Sequence, residues 1–385
     1  MRIHRNVFLL GCLSLFNDVT ADMITPLLPA YLATMGLGAS FLGVMEGLAN
    51  SVANMTTLFA GWYADRKGNS RKMTVGGYRL STFARLFLAI PYPEVTLAAR
   101  TIDRFGKGIH TAPRDQIITA SVDGKHLGEA FGIQRMMDHT GSLLGPLIAT
   151  GALALFSVKL PFLFLIASIP AILSVLIVPR FLKVPAMPPP PKAAPLSWRR
   201  LPKPLKTYAA LMFLSALTTP SELFLIMKMR DMGLPEYQMP LAWFVMTFFT
   251  LIATYVGGRL SDAWSRRRTI ALGWILFAII YVGFAFDGTL TFSWALMAGY
   301  GFHTGLIEPA ERAYPALIAS GEARATALGW YYFSYGMGLL PASLLFGLLW
   351  DHWGARPAFL FNAALTLAVT GLLFFLPSDR KVKAA

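Results

Sequence analysis

The sequence is poor in charged residues and nearly free of cysteine. Only 14% of its 385 residues are charged, whereas a soluble domain carries about 25%. The single cysteine, Cys12, excludes an intramolecular disulfide framework. The sequence also lacks a Walker phosphate-binding loop and a cluster of metal-ligating residues. We therefore expect a protein that is not an enzyme and that has no cofactor and no bound metal.

Apolar sequence is what the chain has in abundance. Hydrophobic residues make up 55% of it, and its mean hydropathy is +0.53. One core cannot bury so much apolar surface, so a lipid bilayer must surround it. The formal net charge of +14 is compatible with nucleic acid binding, but the basic residues fall in short loops between apolar runs. That pattern orients membrane proteins, and we expect no nucleic acid partner.

The apolar runs predict twelve membrane helices, since a helix needs about 20 residues to cross a bilayer. The spans lie near 7–34, 41–63, 73–91, 95–112, 129–156, 160–181, 207–228, 238–261, 269–286, 289–309, 325–350 and 356–377. Between the sixth and seventh spans, Pro188–Pro191 prevents a helix and stiffens a linker. We predict a six-helix bundle at 1–182, a cytoplasmic linker at 183–206 and a second bundle at 207–385.

Lysine and arginine collect on one side of the predicted membrane. The N-terminus, the tail, the linker and the loops after the even-numbered spans carry most of them, while the opposite side has Lys159, Arg230 and Arg356. Basic loops stay in the cytoplasm. Both termini are therefore expected to be cytoplasmic, in the inner (plasma) membrane of a bacterium.

A dense basic turn joins the second and third spans. It contains Gly61, Asp65, Arg66, Gly68, Arg71 and Lys72. The spacing resembles the G-x-x-x-D-R-x-G-R-[RK] loop of the major facilitator superfamily, with Asn69 and Ser70 before Arg71. The resemblance implies a cytoplasmic gate, in which Asp65 accepts hydrogen bonds from a neighbouring helix N-terminus or pairs with a loop arginine.

A second copy of this turn indicates an internal duplication. Asp262 follows Asp65 by 197 residues, and Arg268 follows Arg71 by the same offset. Parallel duplication of a six-helix unit is the architecture of this superfamily. The resemblance, which covers nearly the whole chain, implies an all-α membrane fold of two pseudo-symmetric six-helix bundles. The first copy is expected to act as a lock and the second as an anchor, because Ala263 and Ser265 replace the arginine and glycine.

Ionisable residues inside the spans are the candidate functional residues, because each costs free energy unless it faces a cavity or a partner. Asp18 and Asp22 lie four residues apart, beside Asn17, on one face of the first helix. Two carboxylates in a low dielectric repel each other, which favours a proton on one of them. They are proton carriers, or they are paired with a nearby arginine.

Further acids and amides occur in two other spans. Glu46 and Asn50 form part of a polar stripe on the second helix, and Glu222 is a lone acid in the middle of the seventh. We predict Glu46 and Glu222 as additional proton-coupling residues, with Asn17 and Asn50 near the substrate. On the tenth helix, Glu308 and Arg312 are spaced to satisfy each other.

The fourth helix carries arginines at i and i+4, Arg100 and Arg104. The segment resembles the R-x-x-Q-G-x-G motif of proton-coupled family members, but Asp103 stands at the glutamine position and Arg104 at the first glycine. The resemblance implies that one of the two arginines couples proton movement. Either could neutralise an acid of the first two helices or hold an anionic substrate.

The fifth helix contains a small-residue pattern with proline, Gly141, Gly145 and Pro146. It resembles the G-x-x-x-G-P-x-x-G-G signature of antiporter members of the superfamily, although Ala149 and Thr150 replace the last two glycines. The resemblance implies a hinge at these three residues, whereas close helix packing would use the same residues.

These features together predict a secondary transporter, monomeric in the lipid bilayer, that exports a small organic molecule in exchange for protons. Two alternatives stay open. One is a proton-coupled uptake symporter for an organic anion, which the basic residues of the fourth helix favour. The other is a membrane scaffold or receptor. The polar residues in at least five spans argue against it, because a scaffold does not need to bear their free-energy cost.

Overall fold

The computed structural model describes residues 4–123, 126–183, 198, 201–318 and 323–375, with the side chains of Asp65, 316–318 and 323–327 excepted. The proline run of the predicted linker lies outside these ranges. Within them the chain is helical and has no β-strand, so the predicted all-α class is confirmed.

Fourteen α-helices are present in the described part of the chain. They are α1 (Arg5–Ile24), α2 (Leu28–Thr34), α3 (Ala39–Lys67), α4 (Ser70–Leu86), α5 (Pro93–Ser121), α6 (Leu127–Phe156), α7 (Leu160–Phe181), α8 (Lys203–Ala216), α9 (Leu223–Asp231), α10 (Met239–Ala263), α11 (Arg266–Phe286), α12 (Leu290–Ile318), α13 (Ala323–Trp353) and α14 (Ala355–Leu372).

Two predicted spans are broken helices. A 3-10 turn at Thr25–Leu27 separates α1 from α2, where Pro26 interrupts the hydrogen-bond ladder. Residues 217–222, which include Pro220 and are not helical, separate α8 from α9. If each broken pair counts as one segment, the described residues form twelve segments. Seven helical stretches in the described residues are long and apolar enough to cross a membrane by length and composition.

The fourth predicted span is longer than the sequence indicated. The predicted span at 95–112 lies within α5, which begins at Pro93 and continues through Pro113 to Ser121. The polar stretch around Gly106–Gly108 is inside this helix, and glycine there allows close packing. A Cβ at Gly106 would lie 2.7 Å from the carbonyl oxygen of Gly77 on α4.

The chain divides into two compact units. The first contains residues 1–36, 52–193 and 236–244, and the second contains 37–51, 194–235 and 245–385. The bulk of each unit comes from one half of the sequence. The start of α3 nevertheless groups with the second unit and the start of α10 with the first. The division into sequential domains at 182 and 207 stays a prediction.

In the second unit, the start of α3 packs backbone to backbone against α13. Gly43 and Gly47 face α13, and a Cβ at Gly47 would lie 2.9 Å from the Cα of Leu340. Ser51 Oγ donates to the carbonyl of Gly336 at 2.6 Å and accepts from the amide of Leu340 at 3.0 Å. Small side chains thus permit a close helix pair.

An aspartate of α13 caps the first turn of α3. Asp351, near the end of α13, accepts hydrogen bonds from the amides of Ala39 at 3.0 Å and Ser40 at 2.8 Å. These amides belong to the first turn of α3, which has no intrahelical partners for them. Asp351 is therefore an N-cap for α3 supplied by a residue about 310 positions away in sequence.

Candidate functional site

The two acids of α1 share a polar environment in the first unit. Asp18 and Asp22 are both half-buried. The amide of Asn17 donates to Asp18 Oδ1 at 3.3 Å, and the hydroxyl of Ser142 on α6 hydrogen-bonds to Asp22. These two hydrogen bonds come from α1 itself and from α6.

Two basic residues of α5 face the acids. Lys107 interacts electrostatically with both Asp18 and Asp22, and Arg104 interacts with Asp22. Lys107 is exposed, whereas Arg104 is half-buried. The first unit therefore contains a mixed group of two carboxylates and two cations, which we call the α1–α5 cluster (Asp18, Asp22, Arg104, Lys107).

Asp103 organises the arginines deeper in the same unit. It is 1% exposed. Its Oδ1 lies 2.9 Å from Arg85 Nε and 2.8 Å from Arg85 Nη2, and its Oδ2 lies 3.5 Å from Arg100 Nη1. Ser81 donates to Asp103 as well. Arg100 also donates to the hydroxyl of Thr25 in the turn after α1, and Arg85 donates to the carbonyl of Asn17, so this buried network ties α1, α4 and α5 together.

A third polar group surrounds Arg114 on α5. Its Nη1 donates to Ser14 Oγ at 3.0 Å and lies 3.7 Å from Asp138 Oδ2, and its Nη2 lies 3.0 Å from Asp115. These contacts again join α1, α5 and α6. They supply the buried guanidinium of Arg114 with hydrogen-bond and ion-pair partners inside the unit.

The second unit contains a cavity of about 180 Å³. Its described lining comes from α8, from α10 to α14 and from the break between α8 and α9, and it is rich in hydroxyl and aromatic groups. The residues that carry charge, a titratable ring or an aromatic face are Glu222, Glu311, His303, Trp274, Phe277, Tyr300 and Tyr335. Among the predicted proton-coupling residues, Glu222 is the one that lines this cavity.

Glu311 is the most buried acid of the cavity lining, with 5% of its surface exposed. Trp274 Nε1 donates to its Oε1 at 3.2 Å, and the Tyr331 hydroxyl donates to its Oε2 at 3.2 Å. The Tyr208 hydroxyl donates to its backbone carbonyl at 2.7 Å. Glu311 is a functional candidate to which sequence reasoning assigned no role. Its partners Trp274 and Tyr331 lie 37 and 20 residues away, so helix spacing gives no signal for them.

His303 presents a defined face to the cavity. Its Nδ1 lies 2.7 Å from the carbonyl oxygen of Gly273. Because a carbonyl oxygen only accepts, Nδ1 carries the hydrogen, and in the neutral ring Nε2 is an acceptor. Its ring packs near Phe277 and Tyr300, with centroids 5.1 and 5.7 Å away.

The predicted gate residues of the first copy lie at the junction of α3 and α4. Gly68 has φ +62°, a left-handed conformation that favours glycine and ends α3. Arg66 is exposed over the ring of Trp62, and Arg71 donates to the carbonyl of Pro179 at 2.9 Å. A Cβ at Gly61 would lie 3.2 Å from that of Ala112. The side chain of Asp65 lies outside the described part of the structure.

The second copy of the turn has a looser arrangement. Asp262, near the end of α10, is exposed and lies 3.5 Å from Arg266 at the start of α11. Arg268 is exposed as well. The neighbouring Arg267 packs over Phe374 at 5.5 Å and donates to its carbonyl.

The predicted hinge residues of α6 pack against α1. A Cβ at Gly145 would lie 2.6 Å from the carbonyl oxygen of Val19, and Gly141 faces Leu15 equally closely. Pro146 is buried inside the helix. These contacts are those of a close helix pair, and a hinge role for the three residues stays a prediction.

Glu46 and Asn50 belong to the part of α3 that groups with the second unit. Glu46 is buried and Asn50 is half-buried. They are thus in a different unit from Asp18 and Asp22. The described residues contain no group of three or more histidine, cysteine or acidic side chains that could hold a metal ion.

Comparisons with known proteins identify the relatives of this chain. The family model described as Major Facilitator Superfamily matches residues 10–243 and 207–385. An uncharacterised MFS-type transporter of Methanocaldococcus jannaschii is 31% identical over 382 residues, which cover 96% of this chain and 94% of that protein. The fosmidomycin resistance protein of Escherichia coli is 24% identical over 97% of this chain and 93% of its own length.

Solved structures share the fold at low sequence identity. A POT family transporter in complex with 5-aminolevulinic acid has a TM-score of 0.80 at 12% identity and covers 98% of this chain and 96% of its own. The nucleoside transporter NupG has a TM-score of 0.76 at 15% identity, with 97% and 100% covered. At such identities the likeness concerns the fold alone.

Proposed function

The chain belongs to the major facilitator superfamily, and on that premise we propose that it exports a small organic molecule in exchange for protons. Members of this family are integral membrane transporters and not enzymes. Alternating access, in which one helix bundle rocks against the other around a central site, is the transport mode of such folds. The proposal concerns three properties of this transporter: proton coupling, the direction of transport and the class of substrate.

The α1–α5 cluster is the observation that carries the proposal. Asp18 and Asp22 are ionisable groups within a membrane segment, where a charge costs several kcal/mol unless it has a function or a partner. Their neighbour Lys107 is exposed. Carboxylates beside an accessible cation can exchange a proton at small cost, because the cation compensates the charge that deprotonation creates. This is the property that a proton-coupled carrier needs.

Two further observations support export and its control. The small residues of α6 match much of the antiporter signature, and one relative over nearly the whole chain is named a resistance protein. The α3–α4 turn with Asp65, Arg66 and Arg71 is proposed as the cytoplasmic gate. With this turn in the cytoplasm, the termini lie in the cytoplasm as well and the protein resides in a bacterial inner membrane.

Purified protein in liposomes tests the proposal. The lumen contains the pH indicator pyranine, and valinomycin with potassium clamps the voltage. Benzyltrimethylammonium, succinate and glucose serve as cationic, anionic and neutral probes added outside. Exchange for protons makes the lumen more alkaline as a probe enters. If the variants Asp18→Asn, Asp22→Asn and Glu46→Gln all keep normal pH-dependent transport, the assignment of the proton carriers is wrong.

Uptake of an organic anion with protons is the second candidate function. Arg104 and Lys107 favour it, because two cations beside the carboxylates could hold an anion. The same liposomes separate the two functions. Symport with succinate acidifies the lumen, whereas exchange makes it more alkaline.

A further inference from the structure

We infer that the cavity of the second unit is the substrate site for a small aromatic cation, such as a protonated amine attached to one ring. The inference rests on the proposed function and specifies its substrate class. All the residues that line the cavity belong to the second unit.

The charge of the cavity selects against anions. Glu222 and Glu311 are acids, and no lysine or arginine is found among the described lining residues. Arg312 interacts electrostatically with Glu311, but its guanidinium is paired with Glu308 at 2.7 Å. An anionic ligand would have to approach two carboxylates without a lining cation. A cationic ligand compensates their charge.

The hydrogen-bonding groups of the cavity also fit an ammonium group. Each oxygen of Glu311 accepts one bond from a neutral donor of the protein, and a carboxylate oxygen can accept a second. His303 Nε2 is an acceptor, since Nδ1 is engaged with Gly273. A primary ammonium group has three donors to offer and no acceptor. It therefore matches a site that is rich in acceptors.

The aromatic lining fits a ring and a cation together. Trp274, Phe277, Tyr300 and Tyr335 all face the same space. Aromatic faces attract cations within about 6 Å and stack with aromatic ligands. Cavities for drug-sized ligands are about 300–1,000 Å³, so the 180 Å³ found here suits a ligand with one ring.

Binding of three matched ligands to the purified protein tests the inference. Phenethylamine, 2-phenylethanol and 3-phenylpropionate share a phenyl ring and differ in charge: positive, neutral and negative. Isothermal titration calorimetry in detergent at pH 7.5 measures each affinity. We expect phenethylamine to bind about ten- to hundred-fold more tightly than the alcohol, the range for charged hydrogen bonds. No heat of binding is expected for the carboxylate. Equal or tighter binding of 3-phenylpropionate overturns the inference.

Three variants locate the binding. Glu311→Gln and Glu222→Gln each remove one carboxylate of the lining, and each is expected to weaken phenethylamine at least ten-fold. Asp231→Asn is the control, because it also changes an acid of the second unit to its amide, but Asp231 is paired with Arg230 and neither residue lines the cavity. The control is expected to stay within two-fold of the wild type. Unchanged affinity in both lining variants contradicts the inference, and the comparison of the three ligands on the wild type needs no variant to fold.

Failure of the inference is distinguishable from failure of the proposed function. If phenethylamine binds as described but no probe crosses the liposome membrane, the site stands and transport does not. If succinate or glucose is transported and phenethylamine does not bind, transport stands and the cation site is rejected.

Discussion

The replacement Asp103→Asn is expected to destabilise the first unit strongly. Asp103 is 1% exposed and compensates two buried arginines, Arg85 at 2.8 Å and Arg100 at 3.5 Å. Asparagine keeps the shape of the side chain but removes the charge. Breaking a buried ion pair by removing one partner costs about 3–5 kcal/mol, because the remaining charge stays buried without compensation. Since two arginines depend on Asp103, we expect the upper part of this range.

The replacement Glu308→Gln provides the matched control for this prediction. It also changes an acid to its amide in an ion pair of good geometry, with Arg312 at 2.7 Å, but the two side chains are 34% and 37% exposed. An exposed pair contributes about 0–1 kcal/mol. Thermal unfolding of the purified proteins in dodecylmaltoside, followed by intrinsic tryptophan fluorescence, compares the two. If Asp103→Asn unfolds within one degree of the control, Asp103 does not compensate these arginines as described.

Three further predictions concern packing, capping and coupling. Gly145→Ala is expected to cost about 1–3 kcal/mol in thermal unfolding, because its Cβ would meet the Val19 carbonyl at 2.6 Å, whereas Gly151→Ala on the same helix meets nothing within 4 Å and should be neutral. Asp351→Ala removes two hydrogen bonds from the first turn of α3 and should lower the free energy of unfolding by about 1 kcal/mol. Hydrogen exchange is expected to become faster in that turn alone. Unchanged exchange there contradicts the capping role of Asp351. Asp22→Asn is expected to keep probe flux down its gradient in liposomes and to abolish pH-driven accumulation, and intact accumulation contradicts a coupling role.

Local spacing predicted several features of the candidate site. Asp18 and Asp22 share a cluster on one helix, as i,i+4 residues should. The pair between Glu308 and Arg312 is confirmed at 2.7 Å. In these cases one helix determines the geometry, so the sequence contains the information directly.

Partners from different helices could not be predicted in this way. Arg85 and Asp103 are 18 residues apart on α4 and α5, and Glu311 receives its hydrogen bonds from α11 and α13. Each contact depends on which helix faces bundle together and at what depth. Periodicity defines the polar face of a helix, but it does not define the neighbour of that face.

The grouping of the start of α3 with the second unit could not be predicted for the same reason. A duplicated sequence predicts two sequential bundles, and most of the chain follows that division. The small residues Gly43, Gly47 and Ser51 are at regular spacing on one face. That spacing indicates a close partner helix, but the sequence does not say that the partner is α13.

Proton movement during transport is the direct test of exchange of a small organic molecule for protons. Liposomes containing the purified protein and luminal pyranine are clamped at zero voltage, and benzyltrimethylammonium, whose fixed charge cannot carry a proton through lipid, is added outside. We expect the lumen to become more alkaline as the cation enters, empty liposomes to show no change, and Asp22→Asn to abolish the signal. Acidification of the lumen, or entry of the cation without any change in pH, would contradict proton exchange.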